Sequence, residues 1–500
     1  MAVTATAQTA ERGERRGRPS RRAVWLVLAF TAAGAALRFS TLGLQSLWYD
    51  EAFGAVHLFN GSLGHLLHEL PRTENTPPLW YLLEWLVVQG FGRGAVALRF
   101  LSAVAGTALI PVAGAICNRL GGRRAAEYGA AFVAFSPLFF WYSQEARAYG
   151  LYTLLLALAF LAFLRAEERP TVGRSVAFGI AADLALLTHY FAAFLVVPMA
   201  LYLLRRRNQL PGLLLIGTCG AALLPLAIAQ GGKGAEWIAR SSLLGRLEAI
   251  PRYLFTGYSG APLGHGVELL VALPFLVGGL LGIAAAVRDR RLGALKPVGL
   301  TFLIAFLGAA IPLFLIAFGK DYFDPRNVIG ALFLASCGLA ALIAAARPLP
   351  AAACAALGAA GFLAVSVAID FDPRLQRGDW SGVAKVLRSF DRRFGDGLLV
   401  VNTVHLGTTP LQYYLGARPL HRSVDTRLLA QVGYAPLRAN PAAPPAPGFR
   451  FLAKASVHGI DLFLFVAPTP VAVTRSGLTT QTITPEAGPA EPLAYGPLAG

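Results

Sequence analysis

Hydrophobic length is the strongest constraint on this chain. Its apolar residues fall in repeated runs of about 17–25 residues, the length a helix needs to cross a hydrocarbon core roughly 30 Å thick. Such runs must be helical, because lipid offers no partner for backbone N–H and C=O groups. Only 14% of the 500 residues are charged and 55% are hydrophobic, where a soluble domain carries roughly a quarter charged residues. The mean hydropathy of +0.55 agrees. The formal net charge of +17 does not point to nucleic acid. The cations sit between apolar runs, where they set topology and meet anionic lipid head groups. All four cysteines lie inside apolar runs and read as small packing residues.

Threading the runs on the arginines by the positive-inside rule predicts about eleven transmembrane helices. Residues 1–22 read as a disordered cytoplasmic tail, followed by spans at 23–43, 99–117, 125–141, 148–164, 173–188, 191–204, 210–230, 265–287, 297–318, 327–346 and 349–369. This makes a transmembrane domain over 23–369 with a first outer loop at 44–98. In that loop Pro77 to Phe91 reads as a helix lying in the outer interface, anchored by Trp80, Tyr81 and Trp85. Polarity rises after residue 369. A helical spacing over Ser381–Arg393, strand patterns at 397–401 and 462–466 and a short helix at 409–415 predict a small extracytoplasmic α/β domain over 370–475. A Pro/Ala-rich connector spans 440–448, and 476–500 reads as a disordered tail. The expected location is the plasma or inner membrane, multi-pass, with the N-terminus cytoplasmic and the C-terminal domain outside.

Four groups of side chains could carry chemistry. Asp50 and Glu51, in Trp48-Tyr49-Asp50-Glu51-Ala52, are adjacent carboxylates just past the first span. Such a pair is either used or forms the start of a helix, with Asp50 as N-cap and Glu51 in the first turn. Trp141 to Tyr149 packs Glu145, Arg147 and Tyr149 into one outer turn, more than a bare salt-bridged corner requires. Lys320 and Arg326, around Asp321 and Asp324, suit an anionic phosphate or a membrane surface. Among the histidines, His57 and His189 are the better placed, and His65 and His68 read as surface. No cofactor is demanded. A divalent metal could draw on Glu51, His57 and Glu145.

The segments Tyr49-Asp50-Glu51-Ala52, Pro77-Pro78-Leu79-Trp80-Tyr81 and Ser143-Gln144-Glu145-Ala146-Arg147-Ala148-Tyr149 occur in that order. Together they resemble the bacterial branch of the protein mannosyltransferase and aminoarabinose transferase group, with its C-type glycosyltransferase fold. The resemblance is best over about residues 20–205 and returns at Asp324-Pro325-Arg326-Asn327. It implies a polyprenyl-phosphate sugar donor, a glycan, lipid or protein acceptor outside the cytoplasm, and a catalytic carboxylate at Asp50, with Glu51 beside it and Glu145 in the second outer loop. Arg147, Tyr149, His189, Lys320 and Arg326 then fall to substrate binding. Many relatives carry His before the paired prolines, where this chain has Thr76. The alternative class is a transporter or flippase for an envelope glycolipid. Transporters keep their ionisable groups nearer midspan, where the clear acid here is Asp183. Eleven helices are also excessive for an anchored scaffold.

The topology has a direct test. Single cysteines at Ser62 and Ser381, in a background without the native four, should both react with an impermeant maleimide in intact cells. Labelling at one site alone would break the eleven-span scheme.

Overall fold

In the computed structural model, residues 21–231, 236–394, 397–402, 405–437, 441–478 and 491–499 are described. The expected N-terminal tail therefore lies almost wholly outside them. Along the chain run α1 (Arg21–Ser40), α2 (Tyr49–Phe53), α3 (Leu63–Thr73), α4 (Leu79–Phe91), α5 (Ala95–Phe135), α6 (Pro137–Ser143), α7 (Tyr149–Glu168), α8 (Val172–Leu186) and α9 (Ala193–Leu203). They are followed by α10 (Leu210–Gln230), α11 (Glu236–Arg240), α12 (Leu243–Phe255), α13 (Gly264–Arg288), α14 (Lys296–Ile316), α15 (Ile329–Ala345) and α16 (Pro348–Phe371). The chain divides into two compact units, one of residues 1–42, 68–92 and 96–369, the other of 43–67, 93–95 and 370–500.

The first unit holds the apolar helices. Among the described residues, seven helices are long and apolar enough to cross a membrane, and the apolar helices over 79–91, 190–203 and 329–345 are shorter. One of the seven, α5, has 41 residues, about 60 Å if straight and twice what a bilayer needs. It is two legs joined at Gly122, whose φ of 77° a side chain rarely adopts. A Cβ on Gly129 would lie 2.3 Å from Cys117 Sγ, so the legs return side by side. The spans expected at 99–117 and 125–141 are these legs. The expected span at 173–188 is a helix of 15 residues, and the count of eleven is not established. Helices α8 and α10 approach backbone to backbone, since a Cβ on Gly212 would sit 2.0 Å from Ser175 O. The α4 segment departs from its expected role: Trp80 and Tyr81 are 2% and 1% exposed, turned into protein instead of anchoring an interface.

The second unit carries α17 (Trp380–Phe394), α18 (Thr408–Leu415) and a mixed sheet of β1 (Leu398–Asn402), β2 (Arg418–Pro419), β3 (Ser423–Tyr434), β4 (Arg450–Val457), β5 (Ile460–Thr474) and β6 (Glu491–Tyr495). The strand order is β2-β6-β1-β3-β5-β4, with β1 parallel to β3 and every other pair antiparallel. The unbroken apolar run of β1 follows from burial on both faces. Leu398 and Val400 meet Val383, Leu387 and Phe390 of α17, while Leu399 and Val401 meet Phe463, Phe465 and Phe449.

Two boundaries differ from the sequence reading. Residues 43–67, grouped there with the membrane domain, belong to the second unit. Ser46 Oγ donates to Asp379 Oδ1 at 2.8 Å, and Leu47 N donates to Tyr414 Oη at 2.7 Å. The tail beyond 475 also contributes structure: β6 pairs with β1 over Leu398–Asn402, and Leu493 is fully buried. Truncation after Leu478 should therefore expose the β1 edge and open the sheet. Limited proteolysis of the truncated chain should cut within residues 397–437 while the full chain resists. Equal resistance would show that β6 is dispensable.

Candidate functional site

The second motif is positioned by a break. Helix α5 ends where Pro137 supplies no N–H, so the Val133 carbonyl loses its intrahelical donor. Arg38 on α1 fills the gap. Its guanidinium donates to Val133 O at 3.0 Å, Ala134 O at 2.8 Å, Gly34 O at 3.0 Å and Ser143 Oγ at 3.0 Å, and it is wholly buried. Gln144 closes the corner by donating to Arg38 O at 3.0 Å. Any Cβ on Gly106 would meet Ser143 Oγ at 1.9 Å, so that corner fits only against glycine.

This corner delivers Glu145 and Arg147, both largely buried. Arg147 Nη1 donates to Glu74 Oε2 at 3.2 Å. The Tyr81 hydroxyl donates to the same oxygen and stands 2.8 Å from Thr76 Oγ1. Gln230, at the end of α10, holds that segment by donating to Leu70 O and Thr76 O, each at 3.2 Å. The departure at Thr76 thus leaves a hydroxyl inside a polar network.

His189 lies between α8 and α9, stacked on Tyr152 with ring centroids 4.9 Å apart and 5.6 Å from Tyr149. Its Nδ1 accepts from Phe191 N at 3.2 Å. Burial, with the positive charges of Arg147 and Arg326, pushes its pKa down to about 3, so the ring stays neutral. Arg326, Arg147, Glu145 and Asp324 all act electrostatically on Tyr149. The third candidate segment therefore lies within electrostatic reach of the second. Arg326 lies 3.6 Å from Asp324 Oδ1, and its guanidinium is 4.4 Å from the Trp237 ring centre. Lys320, by contrast, is exposed.

In the second unit, Asp50 and Glu51 stand in the first turn of α2, where the helix dipole favours anions, but the N-cap is Trp48. The Glu51 carboxylate is buried, accepting from Trp48 N at 3.2 Å and lying 3.9 Å from Arg377 Nη1. Asp50 is half-buried. His57 Nε2 pairs with Gln412 Oε1 at 3.2 Å, and burial lowers its pKa. Among the described residues, no three His, Cys, Asp or Glu side chains converge as metal ligands. The Glu51, His57 and Glu145 set accordingly has no built centre, and no step below is routed through a metal.

Residues 75–228 match the family model of dolichyl-phosphate-mannose-protein mannosyltransferase. ArnT from Cupriavidus metallidurans, bound to undecaprenyl phosphate, matches the structure with a TM-score of 0.53 at 14% identity, over 88% of this chain and 97% of that one. Its apo form matches at 0.53 and 14%, over 89% and 98%. This is a C-type glycosyltransferase fold. With the family match, it bears out the resemblance to the protein mannosyltransferase and aminoarabinose transferase group and supports a membrane glycosyltransferase. Among curated proteins, none matches the chain at a significant level.

Sequence reasoning passed over Arg38, Glu74 as the partner of Arg147, and Arg246. Arg38 had a signal, an ionisable residue inside an apolar run. Arg246 on α12 had none, because its partner Asp321 is 75 residues away. The two form a fork, Nη1 to Oδ1 and Nη2 to Oδ2 both at 2.7 Å, and Nη1 also reaches Phe323 O at 2.5 Å. The fork holds the loop that carries Arg326. Chiefly through that hydrogen bond, Arg246 holds the Asp321 carboxyl below the usual carboxylate range. A cycle of Arg246→Ala and Asp321→Ala, read by thermal unfolding, should give a coupling of roughly 0.5–3 kcal/mol at neutral pH. Since the folded pKa is depressed, the stabilisation is complete above the ordinary carboxylate range and is lost as pH falls through the lowered value. A coupling that persists in strong acid would rule the fork out.

Proposed function

We propose that the protein transfers a sugar from a polyprenyl-phosphate donor to an acceptor hydroxyl or amine on the extracytoplasmic face, with inversion at the anomeric carbon. The observation that carries this reading is the convergence of Arg147 and Arg326 on Tyr149 and His189, in a fold shared with an ArnT bound to undecaprenyl phosphate. Two largely buried guanidiniums within electrostatic reach of a neutral histidine suit a phosphate whose negative charge grows as the glycosidic bond breaks. Lys320, exposed at the start of the same loop, takes at most a peripheral part. The acceptor oxygen or nitrogen attacks the anomeric carbon, the carbon–oxygen bond to phosphate breaks, and the electron pair leaves with the polyprenyl phosphate. The acceptor's proton passes to a carboxylate.

Asp50 is assigned that proton. The family resemblance aligns it with the catalytic acid, and Glu51 is already engaged by Trp48 N and Arg377. Glu51 then orients the first turn of α2, and Glu145 is the alternative base. Asp50→Asn keeps shape and hydrogen-bonding reach but accepts no proton at neutral pH. It should bind undecaprenyl phosphate as wild type does, while turnover in purified protein falls by about 10²–10⁴, the usual contribution of a general base. Near-normal turnover would move the base to Glu145. Envelope glycan mass spectrometry with and without the protein names the sugar and acceptor to supply.

Arg326→Ala should weaken undecaprenyl phosphate binding by roughly 1.5–3 kcal/mol, the range for a charge-assisted contact. Arg326→Lys should recover part of it, because a point charge lacks the guanidinium fork. Unchanged affinity in the alanine variant would remove Arg326 from the donor site.

A further inference from the structure

Helix α15 begins three residues after Arg326 and runs for 17 residues, about 25 Å, so its far end lies roughly one bilayer thickness from the site just described. There the end of α15, the Gly121–Gly122 bend of α5 and the connection from α13 to α14 surround a cavity of about 260 Å³. That is space for roughly eight water molecules. The packing that makes it is specific. A Cβ on Gly282 would lie 1.9 Å from Leu342 O, and one on Gly121 would lie 3.3 Å from Ala341. The helices touch through their backbones beside the cavity.

Its floor is apolar, formed by Leu120, Ala286, Ala341 and Ala344, and its mouth is charged, formed by Arg124, Asp289 and Arg291. Helix α13 ends at Arg288, and just beyond it Arg290, with a φ of 53°, turns the chain back so that Arg291 N bonds to Ala286 O at 2.8 Å. That turn brings Arg291 to the rim. Arg124, half-buried, is tied to Ala346 O at 3.1 Å. Asp289 pairs with Arg288 Nε at 3.0 Å and also feels Arg291 and Arg347. Three arginines, Arg288, Arg291 and Arg347, thus act on the one aspartate, and Arg124 lines the same cavity above its apolar floor. Arginines placed only to fix topology need no cavity between them.

We propose that this cavity binds the head group of an anionic phospholipid, its phosphate between Arg124 and Arg291 and the first carbons of its chains on the alanine floor. The shape argues for a lipid over a free anion, because an inorganic phosphate would leave the apolar floor unfilled. The occupant is then a membrane lipid of the leaflet opposite the proposed transfer site, which the arginine pattern of the sequence makes the cytoplasmic one.

The test uses full-length protein in detergent, titrated with dioctanoyl phosphatidylglycerol and read by native mass spectrometry. One tightly held molecule is expected, with dioctanoyl phosphatidylcholine binding at least about tenfold more weakly for want of net charge. Arg124→Gln and Arg291→Gln should each weaken phosphatidylglycerol about fivefold, the worth of one cation near a lipid phosphate. Ala294→Trp, at an exposed position on the rim, should block entry without removing a charge. Arg206→Gln, on a different loop, should change nothing. Equal binding of both lipids, equal loss in the Arg206 variant, or full competition by inorganic phosphate at matched concentration would each overturn the proposal. Unchanged binding in both the arginine variants and Ala294→Trp would do so as well.

Discussion

A guanidinium buried among apolar helices persists only when its N–H groups find acceptors, and Arg38 finds four. Two of these are last-turn carbonyls of α5, left over because the chain breaks at Ser136-Pro137. The break and the arginine therefore explain each other. Without Pro137, α5 would continue and the outer corner would not form. Without Arg38, the break would leave polar groups orphaned where no water competes. The hydroxyl of Ser143 accepts from Arg38 and donates onward to Phe139 O, which fixes the turn that presents Gln144, Glu145 and Arg147. The geometry of the motif thus descends from a residue over a hundred positions earlier.

The same economy runs through the rest of the cluster. Each element that carries a candidate side chain is tied down by a polar side chain from elsewhere in the sequence. Gln230 holds the Leu70–Thr76 segment, and Tyr190 holds Gln230 by donating to its Oε1 at 2.7 Å. Arg246 holds the Asp321–Phe323 segment. The hydrophobic effect does little to set such registers between lipid-facing helices, because lipid is as apolar as the helix surfaces themselves. Hydrogen bonds between helix ends can set them, since each mispairing leaves a buried polar atom without a partner.

What the sequence disclosed follows from this division. The long apolar helices, the amphipathic helix of Val383, Leu387 and Phe390 and the strand at Leu398–Val401 depend on local periodicity and were legible, although the number of spans was not. The polar groups of residues 141–149 also stand out in the sequence against an apolar background. The β6 strand was not legible, because five residues in a tail rich in Pro, Gly and Ala carry too little pattern to register. Nor was the union of residues 43–67 with the C-terminal unit. It rests on contacts such as Ser46 with Asp379, 333 residues apart, which no window detects. Trp80 and Tyr81 were misplaced for a related reason. Aromatic residues near a membrane surface look like interfacial anchors until a buried partner such as Glu74 appears.

The way the two arginines are neutralised bears on how an anion could be bound. Arg147 is paired with Glu74 and Arg326 with Asp324, so neither cation is left uncompensated among the helices. Pairing of that kind would oppose ligand binding if releasing the arginine stranded its acid. Here each acid has a second donor. Glu74 also accepts from Tyr81, and Asp324 Oδ1 also accepts the backbone N–H of Arg326 at 3.0 Å. A guanidinium that turns toward a phosphate therefore leaves behind a carboxylate that is still hydrogen-bonded. The exchange replaces one ion pair with another and spares most of the desolvation penalty that a lone buried charge would carry. A second donor on each buried acid thus lowers the cost that moving either arginine would carry.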